Sequence, residues 1–354
     1  MNTLARAPQE LGIMYSRTCN IECRHCGIMS GPKNKEKMSF ELAKSCIRQA
    51  SEIGNGLDTV IFTGGEPFVH VADLERLVGF CNDLGLSARV VTNGFWAKNV
   101  ERGRDILWRL RIAGLDTINF SADKYHLEHQ DPKVLRNAID IAREVGLVVI
   151  INFTVNTPGD PADEMAKLYG LERKDIRLFY DDEELRNLIA DPNTSADVFD
   201  KIHLHPGRLV GLGRSAQYPE EHFLSPAGAF IYSPCAEIAN RPIIYPNGDL
   251  QACCCAGGTV GEFLIGNVHQ YALSQLFDAM MERSHFRFIN TFGPHQLFDV
   301  MRKHRQDHTM PDPLASICDM CVAATSGMDG QDIDTVLEHW LLSKWMNTAT
   351  PKAG

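Results

Sequence analysis

The sequence predicts an α/β fold: a parallel sheet curled into a partial, TIM-like (β/α)6 barrel over residues 1–216, followed by a smaller C-terminal region, 217–354. Two observations predict it. Short β-rich apolar runs recur along the first half of the chain, and segments of helical periodicity fill the gaps between them. Alternation at about 30 residues per unit is the pattern of right-handed parallel crossovers.

The runs at 11–15, 59–63, 88–92, 117–121 and 148–155 give five strands, and 201–204 gives a sixth. After Ser39 the apolar residues Leu42, Cys46, Ile47, Ala50 and Ile53 share one helical face. Leu74, Leu77, Val78 and Cys81 do the same in the next unit. Cys46 and Cys81 on these faces read as buried core thiols. Residues 156–200 break the rhythm with Asp, Glu and Pro, and read as an insertion between strands five and six, either a lid, a docking surface or a solvated decoration. In the C-terminal region, Pro246-Asn247-Gly248-Asp249 between short apolar flanks predicts a β-hairpin. Ile333, Val336, Leu337, Trp340, Leu341 and Trp345 lie at helical spacing, the stripe of a final helix packed on the barrel.

With 44% hydrophobic and 23% charged residues, the 354-residue chain has the composition of an ordinary globular protein. A net charge of −10 argues against nucleic acid as its main partner. The sequence shows no signal peptide and no membrane-spanning run, so a cytoplasmic protein is expected. Its 11 cysteines then point to metal ligation rather than to disulfides.

Cys19, Cys23 and Cys26 are spaced Cys-x3-Cys-x2-Cys directly after the first strand. Three thiolates so close can hold three irons of a cubic 4Fe–4S cluster and leave the fourth iron open to a small molecule's amine and carboxylate. A Cys3His zinc site using His25 is the alternative. Strand C-termini carry the active site in parallel barrels. Here they end in Gly64-Gly65-Glu66-Pro67, Thr92-Asn93-Gly94 and Ser121-Ala122-Asp123, with Asn152 inside strand five.

The triad with its Gly-Gly-Glu-Pro segment resembles the radical S-adenosylmethionine (SAM) superfamily. The resemblance implies a SAM-binding 4Fe–4S cluster on Cys19, Cys23 and Cys26. It also implies SAM contacts from Gly64, Gly65, Glu66 and Pro67, from His25 before the third cysteine, and from Asn93, Ser121 and Asn152. His126, just past Asp123, reads as a loop residue.

Near the C-terminus Cys235, Cys253, Cys318 and Cys321 make a second set of four. As a bare pattern it could bind structural zinc. The Cys-x12-Gly-x4-Cys half resembles the opening of SPASM-type extensions, or of their shortened form, twitch, which implies a second, auxiliary 4Fe–4S cluster. Cys254 and Cys255 follow the ligand Cys253. Together with Thr92-Asn93-Gly94-Phe95-Trp96 and Asp123-Lys124-Tyr125-His126, these segments are similar to the twitch-type radical SAM peptide epimerases of ribosomal-peptide (RiPP) biosynthesis.

That resemblance implies a precursor-peptide substrate and L-to-D inversion at an α-carbon. The thiol beside the ligand cysteine would return the hydrogen atom, and a flavodoxin-like protein would supply electrons. A triple of cysteines in place of a pair leaves the donor open between Cys254 and Cys255. Two other readings remain: an oxidation, such as a peptide crosslink or dehydrogenation of an aminoglycoside-like small molecule, and a non-catalytic metal-binding scaffold.

Overall fold

A computed structural model describes residues 8–53, 56–155, 159–179, 185, 200–218, 232–253, 261–305 and 316–349. Seven strands belong to the first part: β1 (Glu10–Ser16), β2 (Thr59–Gly64), β3 (Ser87–Thr92), β4 (Leu115–Ala122), β5 (Val148–Val155), β6 (Ile176–Leu178) and β7 (Ile202–Arg208). Three more follow: β8 (Ile243–Ile244), β9 (Asp249–Gln251) and β10 (Leu264–Asn267). All join one sheet in the order β10-β9-β8-β1-β2-β3-β4-β5-β7-β6, parallel from β8 through β6. This is the expected partial barrel, with β7 as its sixth strand.

Helices α1 (Phe40–Ile53), α2 (Val71–Asp83), α3 (Val100–Ala113), α4 (Lys124–Leu127), α5 (Pro132–Glu144) and α6 (Pro161–Tyr169) connect the strands. Several start on side-chain caps: Asn99 for α3, Asp123 for α4, and Asp131 with Pro132 for α5. One face of the strands, Leu11, Ile13, Val60, Phe62, Val90, Ile118, Phe120 and Ile151, joins Ile47, Leu77, Leu107 and Ile139 in one core. Each such side chain contributes about 2 kcal/mol. Alternation puts Glu10, Arg89, Asn119, Ser121 and Asn152 on the opposite, inner face.

Residues 156–200 contain α6 and β6, so part of this insertion is built into the barrel. β7 slots between β5 and β6, and β6 extends the sheet beyond it. Three residues, Ile176-Arg177-Leu178, are too few to show a period in the sequence.

The hairpin forms as expected. β8 and β9 pair antiparallel around the Tyr245–Gly248 turn, closed by the Tyr245 N–H to Asp249 O bond of 2.8 Å. β8 also pairs in parallel with β1, matching Gly12 with Ile243 and Ile13 with Ile244. Five helices follow: α7 (Leu273–Glu282), α8 (Ser284–Phe292), α9 (Pro294–His304), α10 (Ile317–Thr325) and α11 (Gly330–Ala349). α7 packs on α1, whereas α11 packs on α8 and α9. The apolar stripe of α11 thus packs chiefly on its neighbouring helices, while its Ile333 and Leu337 join the same core as the barrel strands. Ile333 and Leu337 are buried, Trp340 meets Phe288 edge-on at 5.5 Å, and Leu341 is exposed. No helix among the described residues is long and apolar enough to cross a membrane.

Candidate active site

The loop after β1 folds back on itself. Arg17 N–H donates to Glu36 O (2.9 Å), Cys19 N–H to Gly31 O (3.2 Å) and Arg17 Nη1 to Ile28 O (2.9 Å). Its three cysteines are free thiols that line a cavity of about 210 Å³, with Cys19 and Cys23 buried. Burial pushes the Cys19 thiol up to about 12.

Gly64 and Gly65 at the end of β2 share this cavity. Their lack of side chains answers to the neighbouring loop: a Cβ on Gly64 would sit 2.3 Å from Ser16 O, and one on Gly65 2.1 Å from Thr18 O. Gly65 N–H donates to Ser16 O and Glu66 N–H to Thr18 O, at 2.7 and 2.9 Å. The β1–β2 ladder thereby runs on into the cysteine loop.

Glu66 is buried and is not among the residues lining the cavity. Its carboxylate accepts from Phe68 N–H (3.1 Å), Thr92 Oγ1 (2.8 Å) and Asn93 N–H (2.8 Å). Burial pushes it up to about 7 against those donors. Pro67 is buried and opens the short turn that follows. Asn93 lines the cavity, donating to Asn20 Oδ1 at 2.8 Å and approaching Cys19 Sγ at 3.8 Å.

Ser121 lines the cavity from β4. Asn152 sits in register with it and with His205 of β7, but outside the cavity lining, where it accepts from Asn119 at 3.3 Å. Beyond β4, Asp123 is buried and holds two histidines: His25 Nε2 at 3.2 Å and His126 Nδ1 at 2.9 Å. Burial pushes the Asp123 carboxyl up, but His126 and His25 outweigh this and hold it well below the usual carboxylate range. Burial likewise opposes charge on His126, and Asp123 overrides it, raising His126 to about 10. His126, which the sequence reads as a loop residue, lies in α4 and lines the cavity. His25 also stacks on Tyr125 at 4.6 Å.

Sequence reasoning missed Arg214, which follows β7 and reaches the cavity. It donates to Cys23 O (2.8 Å) and Ser30 O (2.5 Å). Nothing near it in sequence signals this, because its partners lie 191 and 184 positions away.

The second cysteine set also converges. Burial, then Cys253 and Cys318, push the Cys235 thiol up; burial, then Cys235, Cys253 and Cys318, do the same for Cys321. Cys253 follows β9. Cys318 and Cys321 lie one turn apart on α10, whose start is capped by Ser316 and Asp319. Among the described residues, the one group whose ligand atoms all come within 4.8 Å is His25, Asp123 and His126. Neither cysteine set is drawn that close. Cys254 and Cys255 lie outside the described residues.

Residues 13–171 match the family model described as the Radical SAM superfamily. The chain is 22% identical over 139 residues to the putative peptide biosynthesis protein YydG of Bacillus subtilis, covering 37% of this chain and 43% of that protein. It is 30% identical over 227 residues to a probable GTP 3',8-cyclase of Saccharolobus islandicus, covering 61% of this chain and 62% of that one. The matches thus span less than two thirds of either relative. In fold, it resembles anSMEcpe with bound AdoMet, at a TM-score of 0.53 and 14% identity over 98% of this chain and 97% of that one. A structure of anSMEcpe with AdoMet and the Cp18Cys peptide gives 0.50 and 14%, over 96% and 99%. Residues 13–171, with the cysteine triad at the head of the matched segment and the strand-end loops around it, thus carry the match to the radical SAM superfamily.

Proposed function

We propose that the chain is a radical SAM enzyme that modifies a ribosomally made peptide, by L-to-D epimerisation at an α-carbon. The convergence of two separate cysteine sets, three thiols open to a cavity and four more gathered from distant segments, carries this reading. The peptide class draws on the name of the Bacillus subtilis relative and on the peptide bound to anSMEcpe.

Cys19, Cys23 and Cys26 would hold a 4Fe–4S cluster, and Gly64, Gly65, Asn93, Ser121 and His25 surround the space for SAM. Cys235, Cys253, Cys318 and Cys321 would hold the auxiliary cluster of a twitch-like domain spanning 217–354. When bound, the first cluster and SAM supply a 5′-deoxyadenosyl radical that abstracts one hydrogen atom. The chain's own share is to position the peptide, exclude water and return a hydrogen atom to the opposite face. Cys254, or Cys255, is the proposed donor. One electron and one proton, from a flavodoxin-like reductant and solvent, then restore the thiol.

A second reading is an oxidation, such as dehydrogenation of a small molecule, and the 30% identity to a probable GTP 3',8-cyclase supports only its small-molecule class of substrate. Anaerobic turnover in heavy water separates the two. Epimerisation places one deuterium on an α-carbon and needs Cys254 or Cys255. A product lighter by two hydrogens, with both cysteines dispensable, rejects it.

A further inference from the structure

We propose that residues 211–214 form a strap that couples the two cysteine sites, so that α10 sets the geometry of the loop carrying Cys19, Cys23 and Cys26. The inference rests on the reading that both sites hold clusters.

At one end, Gly211 N–H donates to Asp319 Oδ1 at 3.0 Å. Asp319 stands between Cys318 and Cys321, and its other oxygen accepts from Ser316 N–H and Oγ at 2.9 Å each. One carboxylate therefore fastens both the start of the ligand helix and the strap.

At the other end, the strap grips the N-terminal loop by its carbonyls. Arg214 N–H donates to Cys26 O at 3.2 Å, Nε to Cys23 O at 2.8 Å and Nη2 to Ser30 O at 2.5 Å. Two of these carbonyls belong to cluster-ligand residues. Gly213, at φ +61°, lies so close that a Cβ would be 2.4 Å from Gly27 O and 2.6 Å from Cys26 O. A planar guanidinium with a fixed donor fork transmits displacement more faithfully than a flexible ammonium.

Just past the near end, Ser215 stiffens the segment. Its hydroxyl is buried against Val210 O and Leu212 O, and Tyr218 N–H caps the turn on Ser215 O at 3.0 Å. Four residues reach at most about 14 Å. Movement of α10 has little slack in which to dissipate before it reaches Cys23 and Cys26. Arg214 and Asp319 act here as positioning residues.

The test uses the iron-loaded full chain. Its readouts are the EPR spectrum of the reduced N-terminal cluster with and without SAM, and the SAM dissociation constant. Asp319→Ala cuts the far end of the strap and is expected to weaken SAM binding about tenfold, the scale of one hydrogen bond, and to broaden the SAM-induced signal. Asp319→Asn keeps an oxygen for Gly211 and is expected to restore both. Ser316→Ala loosens the same helix start, leaves the Gly211 contact in place and is expected to change neither. Arg214→Lys, cutting the near end, is expected to reproduce the Asp319→Ala effect while the auxiliary signal stays unchanged.

A wild-type spectrum and SAM affinity in Asp319→Ala would overturn the coupling. So would equal losses in Ser316→Ala, which would mean general loosening. Iron content tests the underlying reading separately. About eight irons per chain support two clusters; about four, with the SAM signal intact, reject the auxiliary cluster, and the strap is then judged on Asp319→Ala alone.

Discussion

Asn93 donates its backbone N–H to Glu66 Oε2 at 2.8 Å, tying the end of β3 to the end of β2 at the wall of the cysteine cavity. The other carboxylate oxygen receives Thr92 and Phe68. Glu66 thus fixes the relative placement of two cavity-lining loops while its own side chain stays out of the cavity. Glu66→Ala would leave three donors without their acceptor. The expected cost is about 3 kcal/mol in urea unfolding of the apo protein, together with weaker SAM binding. A loss under about 1 kcal/mol would show that water or neighbours replace the carboxylate freely.

Gly65→Ala should be worse for cofactor loading than for the fold of the distant helices. Its Cβ would lie 2.1 Å from Thr18 O, a backbone atom of the cysteine loop. Relief requires that loop to shift, at a cost of about 3 kcal/mol. Iron content and the N-terminal EPR signal should fall together, with the auxiliary signal retained. Full loading of both sites would show that the loop accommodates a methyl group.

The Asp123–His126 pair gives apo stability a defined pH dependence. His126 is raised to about 10 in the fold from about 6.5 unfolded. Its contribution is fully present below about 6.5 and is lost as pH rises through about 10. Asp123 is depressed, so its contribution is present above the unfolded value of about 3.9 and is lost as pH falls further. The stability difference between wild type and Asp123→Asn should therefore peak between about pH 4 and 6.5. A difference flat from pH 4 to 10 would contradict the pairing.

Cys46 and Cys81 should stay chemically silent. Both are fully buried, and burial pushes each thiol to about 12. Native alkylation at pH 8, followed by mass spectrometry, should leave both unmodified, and Ala substitution of either should leave iron content unchanged. Rapid labelling of either would place it outside the core.

Combined substitution of Cys19, Cys23 and Cys26 by Ala should abolish SAM cleavage and remove about four irons per chain. Substitution of Cys318 and Cys321 should remove a similar number while SAM cleavage persists. Loss of SAM cleavage in both variants would show that the sites do not load independently.

The strands are legible because their apolar runs are long enough to show a period, and the grouping of the three cysteines because they are close in sequence. β6 is not, since three residues carry no period. The motif places Glu66 at the end of β2, but its hydrogen bonds depend on how the ends of β2 and β3 meet. His126 reads as a loop residue in the sequence because only the fold sets the cavity around it and Asp123. Arg214 had no local signal, since its partners become neighbours only after β7 closes the barrel side.

β1 carries the cysteine loop at its end and takes β8 along its free edge, pairing Ile13 with Ile244. On a ribosome adding about 5–20 residues per second, that edge waits roughly 10–50 s for its partner to be made. Throughout that interval a nascent chain displays an unpaired apolar strand beside three reduced thiols, a surface prone to mispairing and oxidation. The cysteine loop and the β1 edge beside it are therefore exposed together until residues 243 and 244 are made to pair with that edge.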